Sequence, residues 1–284
     1  MLKKALLIGI NYYDTPSAQL NGCINDVVNM RNMLIDAYGY TSENIIVLRD
    51  DISNSKPTSL NIMNSLKSLV SQSKSLSEIW IHYSGHGSQI QDMNGEETDS
   101  LDEIIVPCDY FVSGFISDDM IYGIVRQSLC KTVLIFDSCN SGTVCDLMWN
   151  FNANPSTKQI TTTKTSNNNV LNQNIICLSG CRDEQSSADV YNVSSQQYCG
   201  AMTNAIMECL RWNKHNVDVK KLFIDVVSFM LKNGFTQIPQ LSSSAKVPVY
   251  QITRELTKST NSVWYSSGQV AIRNVMKDLI GTYG

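Results

Sequence analysis

Histidine is scarce in this chain of 284 residues: there are three, at positions 82, 86 and 215. That excludes a histidine-rich metal cluster, and the nine cysteines do not replace it. The close pair Cys177 and Cys181 has no second close pair to complete a tetrahedral zinc site. Long apolar runs are missing too. No stretch approaches the roughly 18 residues that a membrane-spanning helix needs. The opening MLKKALLIGINYYD holds an apolar run of six residues, followed by turn chemistry without a small-residue cleavage site, so it reads as a first strand and not as a secretion signal. Charge is thin, at 17% of residues with a formal net charge of −4, and no lysine or arginine run supplies a footprint for nucleic acid. An odd number of cysteines without an export signal points to reduced thiols and a cytoplasmic location. No internal repeat is present.

What the sequence does have is rhythm. Short β-rich runs alternate with helical periodicity, which predicts an α/β fold with a mostly parallel six-stranded sheet covered by helices on both faces. The strands are expected at 4–10, 44–50, 77–83, 131–137, 174–180 and 248–252. Ile24, Val27, Val28, Met33, Leu34 and Ala37 recur at helical spacing, as do Leu60, Met63, Leu66 and Leu69 after Pro57. Met120, Ile124 and Val125 follow Ser117, a natural N-cap, and further helices fit 200–213 and 217–232, the latter closed by Gly234. Residues 152–173 are rich in Asn, Thr, Ser and Lys, which predicts a mobile loop open to proteolytic nicking. One domain is expected over 1–253. The rhythm then fades into a tail, 254–284, which holds Trp264, with a short helix expected near 269–280, and suggests no role.

In an open α/β sheet, ligands bind beyond the carboxyl ends of the strands. The strand at 77–83 is followed by Ser84-Gly85-His86-Gly87, and that at 131–137 by Ser138-Cys139-Asn140-Ser141-Gly142. Neighbouring strands would thus deliver an imidazole and a thiol to one edge. A free thiol is mostly protonated at neutral pH, and a nearby imidazole takes its proton or stabilises the thiolate. His86 is therefore the candidate base and Cys139 the candidate nucleophile. The N–H groups of Gly87 and Cys139 are the candidates for stabilising an oxyanion. Taken singly, His86 reads as an idle loop residue and Cys139 as a small buried hydrophobe. Their separation of 53 residues, close to the roughly 50 cited for caspases, favours the pair. His82 lies inside an alternating apolar run and is expected to be packed or hydrogen-bonded, whereas His215, in a polar connector, is expected to be solvated.

The segments YSGHGSQ (83–89), DMNGEETDSLDEIIVPCD (92–109), ISDDMI (116–121), FDSCNSG (136–142), LSGCRDEQSSAD (178–189), GAMT (200–203) and PQLSSS (239–244) resemble those of the metacaspases, caspase-like cysteine peptidases. So do ALLIGINYY and LNGCINDV (20–27) at the start, and the likeness covers about residues 1–252 in family order. No Pro- or Gln-rich prodomain precedes it, and the Gln-Ala-Cys sequence of animal caspases is absent. The resemblance implies a caspase-like three-layer sandwich and cleavage of proteins or peptides after Arg or Lys, with His86 as base and Cys139 as nucleophile. Carried over position by position, the pocket for the basic side chain would use Cys23, Asp26, Ser84 and Asp137. Two carboxylates suit a buried guanidinium, although Asp26 also fits an ordinary acidic position at a helix N-terminus. The resemblance further implies calcium, with Asp102, Asp118, Asp119 and Asp146 as ligands. The crowded acidic loop alone, which lacks EF-hand spacing, would read as a solvated surface. In place of the family's cleavable linker stands 152–173, where Lys158 and Lys164 are candidates for self-cleavage. The resemblance also implies a monomer. Two departures stand out: Asn140 follows the nucleophile where the family has histidine, and Ser100 stands where the acidic motif has glycine. Two other readings remain open, a related peptidase of the same clan with a different first-pocket preference and a silent caspase-like domain acting as a binding module.

Overall fold

The computed structural model describes residues 1–91, 101–138, 145, 147–165, 170, 172–180, 189–192, 197–235 and 237–255. The first half runs β1 (Lys3–Gly9), α1 (Cys23–Tyr38), β2 (Ile45–Arg49), α2 (Ser59–Ser71), β3 (Glu78–Ser84), β4 (Gly87–Gln91), β5 (Leu101–Ile105), α3 (Tyr110–Ser113), β6 (Ile116–Ser117), α4 (Asp118–Val125) and β7 (Lys131–Asp137). The second half continues with β8 (Trp149–Asn154), β9 (Gln159–Lys164), β10 (Ile175–Ser179), β11 (Asp189–Asn192), β12 (Gln197–Gly200), α5 (Ala201–Trp212), β13 (Asn216–Asp218), α6 (Val219–Lys232), β14 (Gln240–Ser243) and β15 (Gln251–Thr253).

Alternate residues of the central strands enter two separate cores, as the two-residue side-chain period of a strand covered on both faces requires. Ala5, Leu7, Trp80, Val133 and Ile135 pack under α1, α5 and α6, whose inward residues include Val27, Met30, Leu34, Ile206, Phe223 and Val226. Leu6, Ile8, Ile79, Ile81, Leu134 and Phe136 pack on the other side against Ile62, Leu66 and Leu69 of α2 and Ile121 and Val125 of α4. Each large aliphatic side chain withdrawn from water contributes about 1.5–3 kcal/mol, so the middle of the sheet is a stiff platform. The helix starts follow local chemistry. Thr58 accepts the Asn61 N–H, Ser117 accepts the Met120 N–H, and Asp218 accepts from Lys220 and Lys221.

The sheet has eight strands, in the order β2-β1-β3-β7-β10-β14-β8-β9, and not the six expected. The run from β2 to β10 is parallel, and the three strands beyond it are antiparallel. Two expectations are corrected here. The predicted strand at 248–252 is not in this sheet: Gln251–Thr253 pairs with Asn216–Asp218 in a separate two-stranded ribbon, and the place beside β10 is taken by β14. Within 152–173 the expected loop is in large part a hairpin, in which β8 pairs antiparallel with β9. Its low hydrophobicity suggested disorder, but threonine is a good strand former on a half-exposed surface, and Asn154 closes the turn by accepting the N–H groups of Ser156 and Thr157. Of the proposed tail, Arg254 and Glu255 are described and the rest lies outside the described residues.

Candidate active site

Gly9, Ser84 and Asp137, the last residues of β1, β3 and β7, stand in register across adjacent parallel strands. The ladder continues one step further, with the Gly85 N–H donating to the Asp137 carbonyl at 3.3 Å. His86 is the second residue beyond Ser84. Cys139 is the second residue beyond Asp137, after the buried Ser138. Cys139, Asn140 and Asp146 lie outside the described residues, as does 92–100 of the acidic loop.

His86 is held through both its backbone and its ring. Its N–H donates to the Tyr12 hydroxyl at 2.9 Å, and its carbonyl accepts from the Tyr83 hydroxyl at 2.6 Å and the Val106 N–H at 3.2 Å. Its ring packs on that of Tyr12, with centroids 4.7 Å apart. Nε2 lies 2.8 Å from the Ala18 carbonyl oxygen. A carbonyl only accepts, so Nε2 carries a proton and, in the neutral ring, Nδ1 is left as the base. The loop supplying Ala18 is itself anchored: Asn11 Oδ1 accepts the Cys23 N–H, and Asp50 accepts the N–H groups of Asn11 and Tyr13. Gly87 opens β4 opposite Ile105, directly beside His86.

Three of the four expected pocket residues converge beneath this edge. Asp26 and Asp137 are buried, at 1% and 3% exposure. The Ser84 hydroxyl donates to Asp26 at 2.7 Å, and the Gly200 N–H reaches both Asp26 oxygens at 3.0 and 2.9 Å. The Thr203 N–H donates to Asp137 at 2.7 Å. Gly200 caps α5, so these donors belong to the set that a helix start leaves without intrahelical partners, and the positive end of the helix faces the carboxylates. Cys23, the fourth, is buried at the head of α1, the helix that carries Asp26 in its first turn. Asp26 is thus a helix N-terminal carboxylate, and it stands beside Ser84 and Asp137 at the end of the sheet.

The network continues inward. His82 is fully buried, with Nε2 3.0 Å from the Thr203 hydroxyl, and burial pushes its pKa down to about 3. The expectation of a packed, hydrogen-bonded residue holds. Because an unfolded histidine titrates near 6.5, the unfolded chain takes up a proton below that pH which the native state refuses until about 3. The stability conferred by neutral His82 is complete above about pH 6.5 and is lost progressively toward pH 3, at up to about 1.4 kcal/mol per pH unit. Urea unfolding at pH 7 and 4.5 should therefore show wild type losing about 2–3 kcal/mol more than His82→Gln over that interval. Equal losses would mean that His82 is not held neutral. The third histidine corrects its expectation. His215 is buried, not solvated, with Nδ1 2.9 Å from the Tyr38 hydroxyl, because the connector after α5 folds back on α1; burial, then Arg211 and Arg254, lowers its pKa.

The expected calcium ligands are placed in part. Asp102 lies on β5, whose Ile104 pairs with Ser117, and Asp118 and Asp119 begin α4 directly after Ser117. Asp102, Glu103 and Asp118 are buried, and the Asp119 N–H donates to Asp118 at 2.8 Å. Hard carboxylate oxygens suit calcium. Among the described residues, however, no group of three His, Cys, Asp or Glu side chains is arranged to hold a metal ion. Lys158 sits in the β8–β9 turn in a left-handed conformation (φ 57°), and Lys164 ends β9 opposite Trp149. An open cleft of about 520 Å³ lies at the opposite, amino-terminal end of the strands; its lining includes Glu78, Cys130 and Lys131 but no histidine.

Several functional groups escaped the sequence reading. Ala18 and Val106 contribute only their backbones, which residue type does not reveal. Tyr83 fell at the end of an expected strand and Tyr12 just beyond another, and Gly200 and Thr203 fell within the GAMT segment, all without a role.

Comparisons with known proteins identify the family. A family model described as metacaspase, peptidase C14 domain, matches residues 3–148. Metacaspase-1 of Schizosaccharomyces pombe is 34% identical over 291 residues, covering 85% of this chain and 67% of that protein. Metacaspase-1 of Cryptococcus neoformans is 33% identical, covering 85% and 62%. The chain thus spans about two thirds of the length of the curated relatives it matches. Among solved structures, caspase-1 from Spodoptera frugiperda superposes with a TM-score of 0.58 at 12% identity, covering 87% of this chain and 90% of that one. A Geobacter sulfurreducens protein gives 0.61 at 21%, covering 87% and 95%. These two speak for the caspase-like sandwich alone. Among the described residues no helix is long and apolar enough to cross a membrane. With the family model matched over half the chain and relatives alike at about a third of positions, the chain belongs to the metacaspases, a family of cysteine peptidases.

Proposed function

We propose that this chain is a calcium-dependent endopeptidase that cleaves proteins after Arg or Lys through a His86–Cys139 dyad. The observation that supports it most is the register of Ser84 with Asp137, which makes His86 and Cys139 equivalent second residues beyond adjacent strand ends. At about 3.6 Å per residue, the chain cannot carry Cys139 farther than ~7 Å from Asp137. His86 Nδ1 takes the proton from the thiol, and Sγ attacks the scissile carbonyl carbon, forming the C–S bond. The carbonyl oxygen becomes an oxyanion facing N–H donors, for which Gly87 and Cys139 are the candidates. His86 then gives its proton to the departing amine as the C–N bond breaks. Water, deprotonated by His86, attacks the thioester, and the thiol recovers its proton as the acid product leaves.

The preference for a basic side chain has a physical basis. Gly200 sets the two carboxylates at most about 5 Å apart, and at an effective dielectric of about 20 two such charges repel by on the order of 3 kcal/mol. A guanidinium or ammonium placed between them relieves that repulsion and gains charge-assisted hydrogen bonds. Calcium enters this proposal through Asp102, Asp118 and Asp119, with Asp146 as the fourth ligand; bound there, it would supply positive charge that gathers the acidic segments flanking the active edge. Self-cleavage after Lys158 or Lys164 needs the hairpin to open first, since a protease reads an extended chain and these residues are held in a tight turn and a paired strand. The free thiols of Cys108, Cys130, Cys177 and Cys209 suit a reducing, cytoplasmic setting, and the polar Thr-rich edge strand β9 suits a monomer.

One panel tests these points: fluorogenic peptides ending in Arg, Lys, Asp or Asn, each with calcium or with chelator, followed by mass spectrometry and light scattering of the same samples. Turnover of Arg and Lys peptides, lost in chelator, is expected, along with monomeric mass and new termini after the lysines only when calcium is present. Turnover of Asp or Asn peptides instead would favour a related clan peptidase. No turnover of any peptide would favour the binding module, and undiminished cleavage in chelator would remove calcium.

A further inference from the structure

The loop that carries His86 is held by two buried phenols that no part of the proposed chemistry uses. Tyr12 comes from the loop after β1 and Tyr83 from β3, and their oxygens are 3.2 Å apart. Each phenol has one proton. That of Tyr12 goes to the Val106 carbonyl at 2.8 Å and that of Tyr83 to the His86 carbonyl at 2.6 Å. Each oxygen also accepts a backbone N–H, Tyr12 from His86 at 2.9 Å and Tyr83 from Val106 at 3.3 Å. Burial and the neighbouring Tyr83 hydroxyl push the Tyr12 phenol well above its ordinary range, so it keeps the proton it donates.

Two further facts show that this arrangement shapes the loop. A Cβ on Gly85 would lie 2.6 Å from the Tyr83 hydroxyl and 3.1 Å from that of Tyr12, so the hydroxyls occupy the space a side chain would need. Tyr12 itself adopts φ 55°, a left-handed conformation disfavoured for tyrosine, which aims its hydroxyl at the His86 N–H while its ring lies against the imidazole.

We infer that the hydroxyls of Tyr12 and Tyr83 are positioning groups: together they hold the His86 peptide from its N–H and its carbonyl sides and so set the imidazole at the height at which Nδ1 meets the thiol. This rests on the reading of His86 as the general base. Neither tyrosine touches substrate; both act through His86. Small displacements of a reacting group lower rates by up to about 10²-fold, so Tyr12→Phe, which keeps the ring and removes the hydroxyl, should lower kcat by about 10–100-fold with KM within about twofold.

The test pairs this split with the pH dependence of Cys139 alkylation by iodoacetamide. A thiol coupled to an imidazole reacts well below the ordinary thiol range near 8.5. Tyr12→Phe should move that profile toward the range of the uncoupled thiol, and His86→Ala should move it fully. In the His86→Ala background, Tyr12→Phe should add nothing. If His86→Ala shifts the profile while Tyr12→Phe and Tyr83→Phe leave both profile and kcat at wild-type values, the positioning role is overturned and the dyad stands. If His86→Ala itself leaves the profile and activity unchanged, the dyad reading falls first. Should Tyr12→Phe lose its melting transition, Tyr83→Phe carries the same test; loss of the native fold in both assigns the hydroxyls to the scaffold and overturns the inference, as does an added effect in the His86→Ala background.

Discussion

His86→Ala and Cys139→Ala each lower cleavage of an Arg- or Lys-terminated peptide by at least about 10³-fold, and the double variant is scarcely worse than either single one. General-base catalysis contributes about 10²–10⁴-fold, and residues that act as one unit are strongly non-additive. The expectation is sharper for His86 than spacing alone allows, because the Ala18 carbonyl fixes the proton on Nε2 and leaves Nδ1 free to accept. His86→Gln therefore rescues nothing: an amide of similar reach cannot take up the proton. Steady-state rates for the three single variants and the double variant, alongside melting curves showing each folded, check this. A fully active His86→Ala enzyme would remove the base from the mechanism, and multiplicative losses in the double variant would mean that the two residues do not work as a pair.

The second large effect is steric. Gly200→Ala should lower kcat/KM for the same peptides by about 10²-fold, chiefly through KM, which corresponds to about 3 kcal/mol of binding at the carboxylates. The backbone at Gly200 is extended (φ −67°, ψ 139°), so alanine meets no conformational penalty there. Space is the obstacle: its Cβ would fall 2.1 Å from Asp137 Oδ2 and 2.9 Å from Asp26 Oδ2. Both carboxylates are pinned by N–H groups of the α5 start and by Ser84, so they give way only by breaking those bonds. Gly180 is the control. Its Cβ would meet Met202 and Asp137 at 3.4 and 3.5 Å, ordinary contact, so Gly180→Ala should stay within a few-fold of wild type. Measuring both variants against Arg, Lys and neutral peptides separates damage to the pocket from damage to the dyad. An unaltered KM in Gly200→Ala would detach the two carboxylates from substrate binding.

Much of this was legible along the chain. β1, β3, β7 and β10 stand within a residue of their expected limits, because a strand buried on both faces must be continuously apolar and each run is bounded by turn residues. Ser117 caps α4 as its hydroxyl and position foretold. The 152–173 segment departs from its expectation because polar composition says how little a segment can bury, whereas β8, the strand on which its hairpin is built, is tied into the sheet by β14, about 90 residues further along the chain. The run at 248–252 failed for the converse reason: an apolar, β-branched stretch can serve any sheet, and β14 had already filled the place beside β10.

By itself the sequence determined which groups stand at the strand ends, since a glycine-flanked histidine after one apolar run and a cysteine after another are facts of local order. Only the tertiary structure decided what surrounds them. The Ala18 carbonyl that assigns the His86 proton is 68 residues away, and the Gly200 N–H that holds Asp26 is 174 residues away. Backbone donors and carbonyls have no residue identity to read, and a hydrogen bond depends on distances of a few tenths of an ångström that only packing of the whole sheet and its helices can set.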